Sequence, residues 1–564
     1  RWLIGRGMPP SRRGTARSQP PVTRVSVSCG TDEVESPQSG AGSSTRLSGR
    51  KLTAARNYYI TGVVDDPVGD CYRFAEMARM TEVLVIFAVL ASSSGLPALH
   101  SKAQYPPIFT QPEQIHIAYA GEDDPTQMYV VWSTMNDTKT STVRYFPVGS
   151  TNTLVAQGYS RKFVDGGFLQ RVQYVHRVKL TGLTPGQQYK YVCGSDQGWS
   201  EMFSFTAMKA GSDWSPRFAI YGDMGNINAQ SIPRLQLETE NGMYDAVLHV
   251  GDFAYDMDTD NGQVGDQFMR QIEPIAAYVP YMTCPGNHEF KYNFSNYKNR
   301  FAMPGDEIGD SMYFSFNMGP AHIISFSSEY YFYLRYGFIQ PVKQFRWLER
   351  DLREANKPEN RAKHPWIITM AHRPMYCSNT GKDDCTKHES IIRTGVPYFH
   401  ILGLEDLFYK YGVDLQLWAH EHSYERLWPV YNRQVYNGSF EEPYTNPGAP
   451  VHIITGSAGC QENHTTFDNV TEAWSAFRSD DYGYTRMTIH NATHLYMEQV
   501  SDDQGGKIVD KFWLKKDKHG SYPKRKGAPS IKQDLPPVKK IKYAVNKHML
   551  SNIVQMEMKD TNEL

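Results

Sequence analysis

At 564 residues, 40 % of them hydrophobic, the chain is longer than one core serves, since single domains seldom grow past about 250 to 300 residues, and at least two domains are expected. A formal net charge of −1, from 59 Lys and Arg against 60 Asp and Glu, lacks the basic excess of a nucleic-acid binder. Any affinity for phosphate is therefore local.

Residues 1–76 are rich in Arg, Ser, Gly and Pro without apolar periodicity and read as a linker-like or untranslated leader. From Met77 the composition changes. A basic start at Arg79, the apolar run Val83 to Ala91 and the small residues Ser92 to Gly95 are the three parts of a secretory signal, assigned to residues 77–101. The run is too short to cross a bilayer, which takes about 20 residues, and no other stretch approaches that length. The native chain is expected to start at Met77 and the mature one between Gly95 and Gln104. Export would place the protein outside the cell or in the lumen of an acidic organelle. Six Asn-x-Ser/Thr sequons, at Asn136, Asn293, Asn437, Asn463, Asn469 and Asn491, are then candidate glycan sites. Of seven cysteines, Cys29 and Cys71 fall in the leader; of the others, the close pair Cys377 and Cys385 can clip a loop.

Residues 105–207 alternate apolar and polar side chains in Gln114 to Tyr119, Met128 to Trp132, Thr142 to Tyr145, Tyr174 to Leu180 and Gln188 to Val192. Turn residues such as Gly182 and Pro185 separate these runs, so a small antiparallel sandwich is expected. The stretch Leu180 to Tyr189 is similar to the strand-end signature of fibronectin type III modules. Nothing in it carries chemistry, and a structural or interaction role is expected.

Residues 215–512 switch to short apolar runs alternating with amphipathic helices, the α/β pattern. The runs are Arg217 to Tyr221, Ala246 to Val250, Ala321 to Phe326, Trp366 to Met370, Val413 to Leu417 and Val451 to Thr455, with helices over Gln263 to Tyr278 and Val342 to Ala355. His249, His322 and His452 lie inside these strands and read as core histidines. From residue 513 to 564 the chain is Lys-rich and broken by proline, and reads as a solvated, mobile tail.

Residues of metal-ligand type stand just past those strands: Asp223 after Gly222, Asp252 and Tyr255 after Gly251, His372 before Arg373, and His420 with His422. Asn287 and His288, between Gly286 and Glu289, add a fifth loop. Sites in open α/β sheets form outside the carboxyl ends of strands, so these loops should converge. One Gly-Asp turn or one histidine is usually structural, but five in series are not explained by coincident turns. Asp252 is suited to bridge two cations; Asp223, Tyr255 and His422 complete one site, and Asn287, His372 and His420 the other. Hard oxygen ligands with a phenolate favour a trivalent ion, and the Asn and His set a divalent one. A phenol of pKa about 10 needs a strong Lewis acid to ionise at low pH, which iron(III) supplies, and the charge transfer would colour the protein. Paired metals of this kind split phosphate esters.

These motifs, in this order, resemble those of the purple acid phosphatases among the binuclear metallophosphoesterases. With the sandwich and the stretch Trp418 to Arg426, they are most similar to the long-form animal members described as iron/zinc purple acid phosphatase-like. The resemblance spans about Tyr105 to Phe512. It implies an N-terminal all-β fibronectin type III-like sandwich followed by an α/β four-layer metallophosphoesterase domain built from two β-α-β units. It places iron(III) on Asp223, Asp252, Tyr255 and His422, and a divalent metal (Zn, Fe or Mn) on Asp252, Asn287, His372 and His420. It implies an acid phosphatase that cleaves phosphate monoesters, small molecules or phosphoproteins, through a metal-bound hydroxide. His288 matches a substrate-side histidine of the family, with His388 a looser second match; both would donate to phosphoryl oxygens or to the leaving group. Thr369 and Ala419 depart from the family's Val and Gly, beside ligands rather than at them.

A phosphodiesterase or nucleotide pyrophosphatase would use the same two-metal ligands, but most such relatives lack the tyrosine. A secreted binding protein with a decayed site would have lost ligands, and all seven residues are present.

Overall fold

The computed structural model describes residues 109–305, 310–396 and 400–523. The leader, the signal segment and the basic stretch from 524 onward lie outside the described residues. Among the described residues no helix is long and apolar enough to cross a membrane.

The alternating segment folds into strands β1 (Glu113–Tyr119), β2 (Met128–Thr134), β3 (Thr142–Pro147), β4 (Leu154–Gln157), β5 (Tyr159–Val164), β6 (Val172–Leu180), β7 (Gln188–Ser195), β8 (Gly198–Trp199) and β9 (Phe203–Thr206). They form two antiparallel sheets, one in the order β1-β2-β6-β5 and one in the order β4-β3-β7-β8 with β9 also on β7. The period of two decides what is buried: in β7, Tyr189 and Tyr191 face the core while Gln188 and Lys190 face water. Tyr189 also closes the Gly182 to Gly186 turn, its hydroxyl accepting the Thr184 N–H at 2.9 Å. β4 and β5, absent from the sequence reading, are mostly exposed and carry no apolar alternation to read.

The sandwich is docked on the second domain by buried polar groups. Asp266, on the helix Thr259–Ala276, is paired with Arg300 at 2.8 Å and closely with Arg171 of the sandwich. Arg300 also donates to Gln114 Oε1 at 3.0 Å, and Tyr191 donates to the Ala277 carbonyl at 2.8 Å.

In the second domain β10 (Arg217–Tyr221), β11 (Ala246–His249) and β12 (Tyr281–Thr283) run parallel. They are followed by β13 (Phe314–Met318), β14 (Ala321–Ser325), β15 (Trp366–Met370), a short pair β16 (Gly395–Val396) and β17 (Ile401–Leu402), and β18 (Leu415–Trp418). The chain continues through β19 (Tyr424–Leu427), a second short pair β20 (Val430–Tyr431) and β21 (Gln434–Val435), then β22 (Val451–Thr455), β23 (Ser475–Ser479), β24 (Gly483–Ile489), β25 (His494–Ser501) and β26 (Lys507–Lys515). One sheet has the order β12-β11-β10-β24-β25-β26 and the other β13-β14-β15-β18-β22-β19-β23, with β14, β15, β18 and β22 parallel.

Successive residues of the second sheet serve opposite faces. Ile323 and Ile368 join the large core that also holds Ile220 and Leu248 of the first sheet. Ile324 and Ile367 pack instead with Val342, Leu348 and Leu352 of the helix Ile339–Ala355. These strands are buried on both sides and read as unbroken apolar runs. His249 and His452 are core residues as expected, hydrogen-bonded to the Tyr281 hydroxyl at 2.6 Å and to Trp418 Nε1 at 3.1 Å. His322 is held at 2.9 Å by Asp351.

The mobile tail expected from residue 513 is corrected for its first eleven residues. β26 continues to Lys515 with Phe512 and Leu514 buried, and Lys516 and Tyr522 are buried beyond it. Asp414, at the entry to β18, explains this. Its buried carboxylate is closely paired with Lys516, lies 3.3 Å from Arg361 and 3.2 Å from His519, and accepts the Ile367 N–H at 2.9 Å. Lysine-rich composition signals solvent on average, but one lysine with a buried partner is enough to hold the segment.

Candidate metal centre

Each proposed ligand stands just past the carboxyl end of a strand: Asp223 after β10, Asp252 and Tyr255 after β11, Asn287 after β12, His372 after β15, and His420 and His422 after β18. Four of them have left-handed backbones, Asp223 with φ 56°, Asp252 51°, Tyr255 48° and His420 71°. Such conformations cost non-glycine residues about 1 kcal/mol or more and persist where the surroundings dictate them, typically at functional sites. Two glycines let the loops close. A Cβ on Gly251 would lie 2.7 Å from His372 Nδ1, and one on Gly286 only 2.1 Å from Asp252 Oδ1.

Glu289 ties these loops together. Its buried carboxylate accepts backbone N–H groups from Gly286 at 2.8 Å and from Asp252 and Phe253 at 3.0 Å. Burial, and then the Asp252 charge, push its pKa up to about 8.

The donor atoms fall into two groups. In the first, Tyr255 Oη lies 3.0 Å from Asp223 Oδ1 and 2.9 Å from His422 Nε2. In the second, His372 Nε2 lies 3.0 Å from Asp252 Oδ2, 3.0 Å from Asn287 Oδ1 and 3.2 Å from His420 Nδ1. Asp252 Oδ2, buried and close to an imidazole nitrogen, nevertheless makes no hydrogen bond of acceptable geometry. An orphaned carboxylate oxygen facing imidazole lone pairs is what a cation site leaves when seen without its ion.

The histidines are oriented from outside. His372 Nδ1–H donates to the Val250 carbonyl and His422 Nδ1–H to the Asn463 carbonyl, both at 2.9 Å, so each presents Nε2 inward. His420 is turned the other way, with Nδ1 inward and Nε2 closely paired with Asp383.

Electrostatics agree with the need for positive charge. Burial and the Asp223 carboxylate drive the Tyr255 phenol well above its ordinary value. Burial opposes charge on His372 too, yet Asp252 raises it to about 9. Burial would likewise raise Asp252, but His372 and His288 hold it well below the usual carboxylate range. The chemistry of the donor set fits two cations, the phenol-bearing group calling for the stronger Lewis acid.

His288 is buried beside the first group, with its ring 4.2 Å from that of Tyr255. Its Nδ1 is 2.8 Å from Asp256, and its Nε2 is 3.6 Å from Glu462. Burial would lower its pKa, but Asp252, Asp256 and Glu462 raise it well above the ordinary value. His388 is not brought in. It is exposed, its carbonyl is tied to Arg393, and among the described residues its ring makes no hydrogen bond, ion pair or ring contact with any of the seven. The loop before it delivers Asp383 instead, a residue that sequence reasoning missed because nothing distinguishes it from Asp384. Also missed were Arg373, with Nη1 3.1 Å from His420 Nε2, and Cys460, with Sγ 3.1 Å from His422 Nδ1.

Cys377 and Cys385 form a disulfide, while Cys193, Cys284 and Cys460 are free thiols. Of the six sequon asparagines, all but the half-buried Asn293 are exposed. Ala419, the departure beside the last ligands, fills space of its own, since a Cβ on Gly222 would lie 2.4 Å from the Ala419 methyl.

Three family models match the chain in succession. They are "Purple acid Phosphatase, N-terminal domain" over residues 112–207, "Calcineurin-like phosphoesterase" over 216–424 and "Iron/zinc purple acid phosphatase-like protein C" over 449–511. The chain is 59 % identical over 418 residues to "Acid phosphatase type 7" of Mus musculus, covering 74 % of this chain and 93 % of that protein. To the Homo sapiens protein of the same name it is 60 % identical over 403 residues, with 72 % and 90 % covered. The solved purple acid phosphatase of Lupinus luteus shares the fold with a TM-score of 0.60 at 24 % identity, covering 72 % of this chain and 75 % of that one.

Proposed function

This chain belongs to the purple acid phosphatase family, and from that premise we propose that it is an acid phosphatase, hydrolysing phosphate monoesters at a centre of iron(III) and a divalent metal such as zinc. The observation that carries this reading is the buried Tyr255 hydroxyl within 3.0 Å of both Asp223 and His422, since that phenol ionises only beside a strong Lewis acid. Asp223, Asp252, Tyr255 and His422 would hold the iron(III); Asp252, Asn287, His372 and His420 would hold the divalent ion. When bound, the two metals supply Lewis acidity that polarises the phosphoryl group and lowers the pKa of water.

The chain's own groups do the rest. Glu289 and the two glycines fix the loops before substrate arrives, so little reorganisation is left for the reaction. His288, with Nδ1 2.8 Å from Asp256 and Nε2 3.6 Å from Glu462, would donate to a phosphoryl oxygen or to the departing alkoxide. Small phosphorylated molecules or phosphoproteins are the substrates we assign. We also assign the protein to the exported or acidic-lumen compartment, a reading supported by the signal-like segment from Met77, the exposed sequons and the disulfide.

The test is a visible spectrum with metal analysis on the full chain from a secretory host. About two metals per chain and a broad charge-transfer band are expected. Tyr255→Phe should abolish the band, and Asp252→Asn should release both metals. Two metals with no band in the wild type would overturn the iron-phenolate assignment.

A further inference from the structure

We propose that Asp383 sets the divalent face of the centre by taking the Nε2–H of His420, leaving only Nδ1 of that imidazole for the metal; this rests on the two-metal reading above. The neutral imidazole has one N–H, and an ionised carboxylate can only accept. A carboxylate at Nε2 therefore fixes the proton there and the lone pair on Nδ1, the nitrogen 3.2 Å from His372 Nε2 inside the divalent group. His372 and His422 have their outward nitrogens on backbone carbonyls, which carry no formal charge, with the Cys460 sulfur also 3.1 Å from His422 Nδ1. His420 alone of the three has its outward nitrogen on a carboxylate, which raises ligand basicity as well as fixing orientation.

Arg373 is the competing group. Its Nη1 lies 3.1 Å from the same Nε2, and because a guanidinium only donates it would impose the opposite tautomer. The surrounding charges place it otherwise. Arg373 Nε is engaged by the buried Glu329 at 3.0 Å, and Nη1 lies 3.6 Å from Asp383 Oδ1, so it acts as counter-charge to Asp383.

The position of Asp383 is enforced by covalent and polar moorings to the turn that carries the ligand. The Cys377–Cys385 disulfide closes the loop around it, and Cys385 Sγ rests 3.1 Å from Glu421, the residue between His420 and His422. Ser378 donates its N–H at 2.9 Å and its hydroxyl at 2.6 Å to Glu425, and Asn379 Nδ2 donates to Ser423 at 3.0 Å. These contacts join the loop to the ligand turn, and Asp383 is a positioning residue acting through His420.

The experiment titrates the iron-loaded full chain with zinc against a competing chelator, for wild type, Asp383→Ala and Asp383→Glu, while following the charge-transfer band. Asp383→Ala should bind zinc about 10- to 100-fold more weakly with the band retained, and Asp383→Glu should recover most of the affinity. Wild-type zinc affinity in Asp383→Ala would overturn the proposal, and so would loss of band and zinc together, which would mean a general collapse. If wild type itself takes up no second metal, the two-metal reading has failed first, and that outcome is recognised without the variants.

Discussion

Gly286 shows how little freedom the centre has at the scale of single residues. Any side chain there would drive into Asp252 Oδ1, the oxygen that accepts the His288 N–H at 2.9 Å. Gly286→Ala should lower stability by about 1 to 3 kcal/mol, the usual cost of forcing atoms into a packed site, and metal analysis should show fewer than two metals per chain. The structure draws together the seven candidate ligands, six of which stand past apolar runs visible in the sequence; Asn287 follows the short β12, which no run announced. Glu289 was visible in the same motif, yet its work is done on backbone N–H groups, which no residue pattern announces. His388 and Asp383 mark the limit from opposite sides. A histidine invites a catalytic reading, but loop path decides which side chain arrives, and the disulfide loop delivers the aspartate.

At the scale of elements, the sandwich and the catalytic domain meet through the buried Asp266, Arg300 and Arg171 cluster. Breaking one partner of a buried ion pair strands the others, so Asp266→Asn should destabilise the protein by about 3 to 5 kcal/mol, read as a lower urea midpoint. The cost should exceed that of losing the exposed Arg270–Glu113 pair, which is worth under about 1 kcal/mol. The five alternating runs of the sandwich and the six apolar runs of the second domain stand as strands, whereas β24 and β25 alternate as well and are absent from the expected runs. β4 and β5 were not legible, because their side chains face water and their pairing partners decide their conformation. β26 is not among the expected runs and crosses the expected domain end at residue 512; Asp510, Phe512 and Leu514 alternate inward, but Lys515, Lys516 and Lys518 just beyond them give the composition of a tail.

At the scale of the whole molecule, neutral histidines buried in both domains tie stability to pH. Burial lowers His116 and His176 of the sandwich to about 4 and His452 to about 3, against about 6.5 for a histidine in water. The unfolded chain therefore binds more protons than the folded one between about pH 6.5 and those values. Their contribution is full above about pH 6.5 and shrinks as pH falls, by about 2 kcal/mol for each histidine at pH 5. An NMR titration of the histidine rings should show these three still neutral at about pH 5; a ring that takes its proton near its ordinary pKa of about 6.5 would contradict its burial as a neutral group. Domain order, the change from alternating to α/β grammar and the place of the centre were legible because they follow from composition and period. The buried mooring of Lys516 on Asp414 was not, since it joins residues a hundred positions apart.

The order of strands in the first sheet has a consequence for synthesis on the ribosome. β10 is among the first catalytic strands to emerge, yet its second neighbour is β24, with Ile220 paired to Thr485. Translation passes Asp223, His372 and His422 before that partner exists. A polypeptide halted between His422 and Gly483 carries every candidate ligand and still presents a bare strand edge, the form most open to capture by chaperones or by another unfinished copy.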